Sequence, residues 1–160
     1  MQAEPQKEHQ WLQQMCGEWT SEATCSGGPG QPDMVMKGTE SVRPLGLLWI
    51  ICKGKGEMPG GGEANMRLTL GYDPAKKMFV GSWIGSMMTH MWTYEGQLDV
   101  SGKVLTLDTT GPNMMEPGKT ERYRETIEMK SADHRTFSSS MMGPDGKWAT
   151  FMTAQYRRVK

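Results

Sequence analysis

From Gly17 onward the chain keeps one rhythm: about eight to ten residues rich in Val, Ile, Thr and aromatics, then a cluster of Gly, Pro, Asp or Asn. Strand formers punctuated by turn formers predict strands near 17–25, 34–43, 47–56, 64–72, 77–84, 89–98, 103–109, 119–130, 134–142 and 147–158. The first fifteen residues follow another period. Trp11, Leu12 and Met15 recur at i, i+1 and i+4, which is a helical face, and Gly17 ends it. The chain therefore divides into an N-terminal helix over 1–15 and a single β domain over 16–160.

The turns fix how neighbouring strands meet. Asp73-Pro74-Ala75-Lys76 puts proline where a type I turn needs its fixed φ. Asp99-Val100-Ser101-Gly102 and Pro144-Asp145-Gly146 supply glycine for a left-handed closing residue, and Ser131-Ala132-Asp133 is equally short. Strands joined by such links pair with their sequence neighbours, which makes an antiparallel meander. Two links are longer, Ser26 to Asp33 and the glycine run at Pro59–Gly62.

Alternation assigns side chains to faces. Phe79, Gly81, Trp83 and Gly85 oppose Met78, Val80, Ser82 and Ile84; His90, Trp92 and Tyr94 oppose Met91, Thr93 and Glu95. In the last strand Trp148, Thr150, Met152, Ala154 and Tyr156 share one side. Apolar groups thus fall on both faces of several strands, whereas a sheet with one wet face separates them cleanly. About ten meandering strands hide their edges best by closing into a barrel. The fold class expected is all-β, an up-and-down barrel with a helix against one end or its outer wall.

Charge narrows the function. Eighteen basic residues balance eighteen acidic ones, so no basic face for nucleic acid is expected. No run approaches the roughly 18 apolar residues of a membrane-spanning helix. The polar opening MQAEPQKEHQWLQQM is not an export signal, and three cysteines, Cys16, Cys25 and Cys52, make no disulfide framework. Free thiols and a cytoplasmic location are the expectation.

The short helix followed by Gly17-Glu18-Trp19 at the first strand resembles the calycin superfamily, which includes lipocalins and fatty-acid-binding proteins. A closer resemblance runs over nearly the whole chain. Leu12 to Trp19, the stretch from Gly71 to Leu107 and the ending DGKWATFMTAQYRR are similar to the bacterial domain-of-unknown-function family fifteen-seventy-nine. Its Gly-Tyr-Asp, Ser-Trp-Ile, Trp-Thr-Tyr-Glu-Gly and terminal Tyr-x-Arg elements occur here in order. The resemblance implies a small calycin-like barrel and supplies no catalytic residues. Where the family pattern has an acidic residue after Trp-Ile, this chain has Gly85.

Candidate chemistry is sparse. Trp19, Trp83 and Trp92, with Tyr94 and Tyr156 as polar handles, suit a largely apolar pocket that still orients its ligand, although ordinary core packing also uses such residues. His90 sits in Met87-Met88-Thr89-His90-Met91-Trp92, but one strand offers at most two ligands per side, so no metal site is expected. Arg122 and Arg124 share a face: turned inward they resemble the carboxylate grip of fatty-acid-binding proteins, turned outward they form a solvated stripe with Glu121 and Glu125 opposite. The run Lys53–Gly62 lacks phosphate-loop spacing and reads as a hairpin loop at a barrel mouth. No catalytic motif or cofactor fingerprint is present.

Three functions remain open at this stage. The leading one is a barrel that binds a small apolar molecule in its lumen through Trp19, Trp83, His90, Trp92, Tyr94, Arg122, Arg124 and Tyr156. The second is an enzyme using His90 or a lumenal carboxylate for proton transfer. The third is a homodimeric interaction module anchored by exposed Met and Trp.

Overall fold

The computed structural model describes residues 2–160. One helix, α1 (Lys7–Gln13), precedes ten strands: β1 (Gly17–Cys25), β2 (Met34–Leu45), β3 (Trp49–Glu57), β4 (Glu63–Asp73), β5 (Met78–Gly85), β6 (Trp92–Leu98), β7 (Val104–Pro112), β8 (Thr120–Ser131), β9 (His134–Met142) and β10 (Trp148–Arg158). Each strand pairs antiparallel with its sequence neighbour, and β1 pairs with β10 to close the barrel. The all-β meander expected from the turns is therefore what forms. Gly102 takes φ 73° in the β6–β7 turn, where the Asp99 carboxylate accepts the Lys103 and Val104 amides.

Most strand boundaries fall within two residues of expectation; the larger shifts are at the helix, at the start of the sixth strand and at the end of the seventh, which runs on to Pro112. The helix expected over 1–15 is observed only at Lys7–Gln13, because Pro5 biases Glu4 away from the helical region; Met1 lies outside the described residues. The sixth strand begins at Trp92 rather than residue 89. Ser86 donates its backbone N–H to Asn65 O at 2.8 Å and accepts the Asn65 N–H on its hydroxyl at 2.9 Å. That tie holds the start of the 86–91 loop to β4, and His90 precedes the β5–β6 ladder, which starts at Trp83 opposite Trp92.

The barrel has unlike ends. Links at 46–48, 74–77, 99–103 and 132–133 are short and gather at the end that α1 covers. There His9 accepts the Gln6 N–H on Nδ1 (2.9 Å) and donates from Nε2 to Tyr72 O (3.0 Å), so one tautomer satisfies both bonds. Trp11 Nε1 donates to Gly102 O at 2.6 Å. Beneath the helix, Leu12, Met15, Trp19, Val42, Ile50, Leu70, Phe79, Leu105, Leu107 and Ile127 are sealed from solvent. This is the floor. Loops 26–33, 58–62, 86–91, 113–119 and 143–147 surround the other end, the mouth, and the glycine run ends in one of them.

The floor is locked at the closing seam. Trp19 Nε1 donates to Met15 O at 2.9 Å, and the Arg158 guanidinium lies 4.2 Å from the Trp19 ring centroid. Arg158 also donates to Cys16 O (2.5 Å), Gln14 O (2.8 Å) and Ala132 O (3.0 Å), tying the chain's two ends and the β8–β9 turn together. Trp19→Ala should lower the unfolding free energy by about 3–5 kcal/mol in denaturant titration, the scale for truncating a buried tryptophan. Arg158→Ala should cost about 2 kcal/mol, through lost hydrogen bonds and ring contact. Alkylation without reductant, read by intact mass, should count three free thiols, since Cys16, Cys25 and Cys52 are unpaired.

Candidate functional site

Strand parity decides which side chains enter the lumen. Trp19, Ser21, Ala23 and Cys25 point in from β1, and register carries the same face around the barrel to Glu40, Cys52, Leu70, Gly81, Tyr94, Leu107, Glu125 and Arg135. Near the floor these positions are fully buried. Toward the mouth they are not: Ser21, Ala23, Met36, Met66, Leu68, Trp83, Met141 and Met152 face in yet are only partly buried. Phe151, brought to the Tyr123 ring by the irregularity between Thr150 and Met152, is 42% exposed. Inward side chains that touch solvent mean an open cup above a packed floor.

Rings line one side of the cup. His90, Trp92, Tyr123 and Phe151 follow one another edge to face, with centroid separations of 4.7, 5.0 and 6.2 Å. Trp92 lies over Gly111, where a Cβ would come within 2.2 Å of the indole, and its Nε1 donates to Met88 Sδ at 3.1 Å. Tyr123 donates its hydroxyl to Pro112 O at 2.8 Å. Methionine marks the rim, with Met34, Met87, Met91, Met114 and Met115 exposed there and Met115 at 87%.

Two polar groups sit deeper. Arg135, 2% exposed, is paired with Glu40, lies 4.0 Å from the Tyr156 ring and 4.7 Å from Trp19, and leaves its Nε without a partner. Glu125, across from Ser139 on β9, accepts the Ser139 hydroxyl and is ion-paired to no described cation. Burial raises the Glu125 carboxyl to about 7, against the pull of the Ser139 bond. Burial raises Tyr94 as well, with the Glu125 charge adding to it, and raises Tyr156 with help from Glu40. Burial likewise pushes the Cys52 thiol up, so it is no ready nucleophile.

The eight sequence candidates separate accordingly. Trp83, Trp92 and Tyr94 face the cup, His90 joins them from the 86–91 loop rather than from a strand, and Tyr156 points in lower down, buried against Arg135. Trp19 belongs to the floor. Arg122 and Arg124 point outward, at 5.6 and 4.4 Å over Trp148, with Arg124 forked onto Asp108 at 2.7 and 3.1 Å. They cannot grip a carboxylate inside the lumen, because their parity is opposite to Tyr123 and Ile127. Arg135, Glu40 and Ser139 were not singled out by sequence. Arg135 shares parity with Phe137, which was the available signal.

A carboxyl raised in the folded state is neutral more readily there than in the unfolded chain. Its ionisation therefore opposes folding as pH rises from the ordinary carboxylate range to about 7, and has no effect where both states are protonated. Relative to the parent protein, Glu125→Gln should gain stability between about pH 4.5 and 7, by on the order of 2–3 kcal/mol, and level off above. Thermal melts across that range check both the sign and the window.

A second cleft opens on the outer wall. It holds about 590 Å³ and is lined by Lys76, Met78, Val80, Gly81, Thr93, Tyr94, Glu95, Asp108, Thr109, Thr110 and Arg122. Another, of about 240 Å³, lies near the mouth between Lys37–Thr39 and Lys55–Glu57. No group of three His, Cys, Asp or Glu side chains able to hold a metal occurs among the described residues. No described helix is long and apolar enough to cross a membrane.

Solved structures of similar fold include Rv2717c from M. tuberculosis, at TM-score 0.66 and 12% identity over 98% of this chain and 100% of that one. The S-type phycobiliprotein lyase CPES from Guillardia theta is similar at TM-score 0.64 and 13% identity, covering 98% and 99%. A designed barrel bound to DFHBI, EF1p2_mFAP2b, reaches TM-score 0.50 at 13% identity over 94% and 98%. At these identities the likeness is one of fold alone. No curated protein matches the sequence. A family model described as "Protein of unknown function (DUF1579)" matches residues 4–158, and the chain belongs to that family.

Proposed function

We propose that this barrel binds a small, largely apolar molecule in the mouth half of its lumen. The observation that carries the reading is the contrast between the two halves. Inward residues over the floor are sealed, whereas inward residues such as Trp83, Met66, Leu68, Met141 and Phe151 keep contact with solvent. Apolar surface left wet inside a concave cup gains free energy when a ligand covers it, at about 25 cal/mol per Å². Aromatic rings give that cup shape, and methionines give it tolerance for varied ligand outlines. The designed barrel of similar fold that holds DFHBI supports the capacity of such a lumen for one small ligand. Three unpaired thiols support a reducing compartment as its setting.

One feature favours a second reading. Glu125, near half-ionised at neutral pH and close to Tyr94, has the acidity of a general acid or base. In that reading the bound molecule would exchange a proton with Glu125.

The two are separated by titrating the protein with 8-anilinonaphthalene-1-sulfonate. Binding should enhance the probe's fluorescence and quench tryptophan emission. Trp83→Ala should weaken it by about 1–3 kcal/mol, the scale for losing an aromatic contact. Native mass spectrometry of protein purified from its own host should show a retained apolar mass that Glu125→Gln also retains. Probe binding unchanged by Trp83→Ala, with no retained mass, would refute the lumenal reading.

A further inference from the structure

The hydrogen-bond ladder of the barrel is incomplete between β6 and β7. Their ladder pairs only Glu95–Leu98 with Asp108–Leu105. Continued upward, it would set Tyr94 against Thr109 and Thr93 against Thr110, yet these residues are unpaired across the gap, although β5 holds Trp92–Tyr94 and β8 holds Thr109–Pro112. The 590 Å³ cleft lies at this place. Its lining mixes both faces of the sheet: Met78, Val80, Thr93, Glu95, Asp108, Thr110 and Arg122 point outward by parity, whereas Gly81, Tyr94 and Thr109 point inward. A cleft lined by outer and inner residues together passes into the wall rather than resting on it.

Charge sorts what fits there. Lys76 is paired with Glu95 at 2.9 Å, and Asp108 is held by the fork of Arg124. Arg122 has no ion pair among the described residues and rests over Trp148 at 5.6 Å. Once the paired charges cancel, the cleft carries one free cation beside two outward threonine hydroxyls, those of Thr93 and Thr110. The lumen behind it has the opposite bias. Arg135 is neutralised by Glu40, and Glu125 has no cation, so an anionic group moved inside would meet an unbalanced carboxylate.

We propose that this gap seats a single-chain amphiphile, with its anionic head in the outer cleft on Arg122 and its apolar chain passing between Tyr94 and Thr109 into the lumen. The assignment rests on the lumenal reading above and specifies its ligand class. It makes the wall, not the mouth, the place where the head is recognised. Arg122 acts there from the outer face, with Thr93 and Thr110 offering hydroxyls beside it.

Calorimetry with decanoate, decanol and decyltrimethylammonium, all below micellar concentration, tests the head, and circular dichroism checks that each variant is folded. Decanoate should bind most tightly and decyltrimethylammonium least. Arg122→Gln, an exposed outer change, should weaken decanoate about fivefold, the scale of one solvent-facing ion pair, and leave decanol unchanged. Thr93→Trp, also outward-facing, should fill the cleft and weaken decanoate and decanol together. If decanol binds but the three heads are not distinguished, or if Arg122→Gln shifts decanoate by less than twofold, the gap is not a head site, while the lumenal reading stands. If no probe binds the parent protein, both fall.

Discussion

A ten-stranded meander leaves its first and last strands as free edges unless they find each other, and here they pair along an antiparallel ladder that one side-chain clamp locks at its floor end. Trp19 on β1 stands opposite Arg158 on β10, and the Arg158 guanidinium lies over the indole while donating to carbonyls at Gln14, Cys16 and Ala132. Closure removes the unpaired N–H and C=O groups that would otherwise invite another chain. It also fixes where the helix goes. With Met15 bonded to the Trp19 indole, α1 has little choice but to lie across the end that the short turns define.

From that clamp follows a division between stability and capacity. Interiors packed to crystal density hold a fold but leave no room for anything else. This barrel spends its tightly packed side chains, Leu12, Ile50, Leu70, Phe79, Leu105 and Ile127 among them, at the helix-covered end. Toward the mouth the same inward face carries Ser21, Ala23 and Gly56, small groups that cannot span the lumen. Phe151 and Trp83 then meet solvent although they point in. Larger groups at Ser21 and Ala23 would make a fuller core and a poorer cup.

The sequence made the strands legible because turn chemistry and period-two alternation agree along most of the chain. Two of the boundary shifts have tertiary or neighbouring causes: Ser86 bonded to Asn65, and Pro5 ahead of the helix. Parity also told which residues travel together, so Trp83 and Trp92 fell into one hairpin as expected. It could not tell which set is inside. On β8 both sets carry charge, Arg122 and Arg124 against Glu121 and Glu125, and charge alone does not choose between them. The inward set is the one that includes Tyr123, Ile127 and Met129, and it admits Glu125 because a carboxyl can shed its charge by taking a proton, which a guanidinium cannot. Arg135 can be buried because Glu40, on a distant strand, supplies the counter-charge, and no local pattern announces such a pair.

The methionine rim has a chemical corollary. Thioethers oxidise to sulfoxides, which turns a flexible apolar group into a polar one, and susceptibility follows exposure. Met91, Met114 and Met115 stand well out in solvent, whereas Met15 is sealed under the helix and Met129 nearly so. An oxidant would therefore reach the rim long before the floor. The barrel would stay folded while its mouth lost its oiliness, and sulfoxide reductases could reverse the change because the altered side chains are the accessible ones.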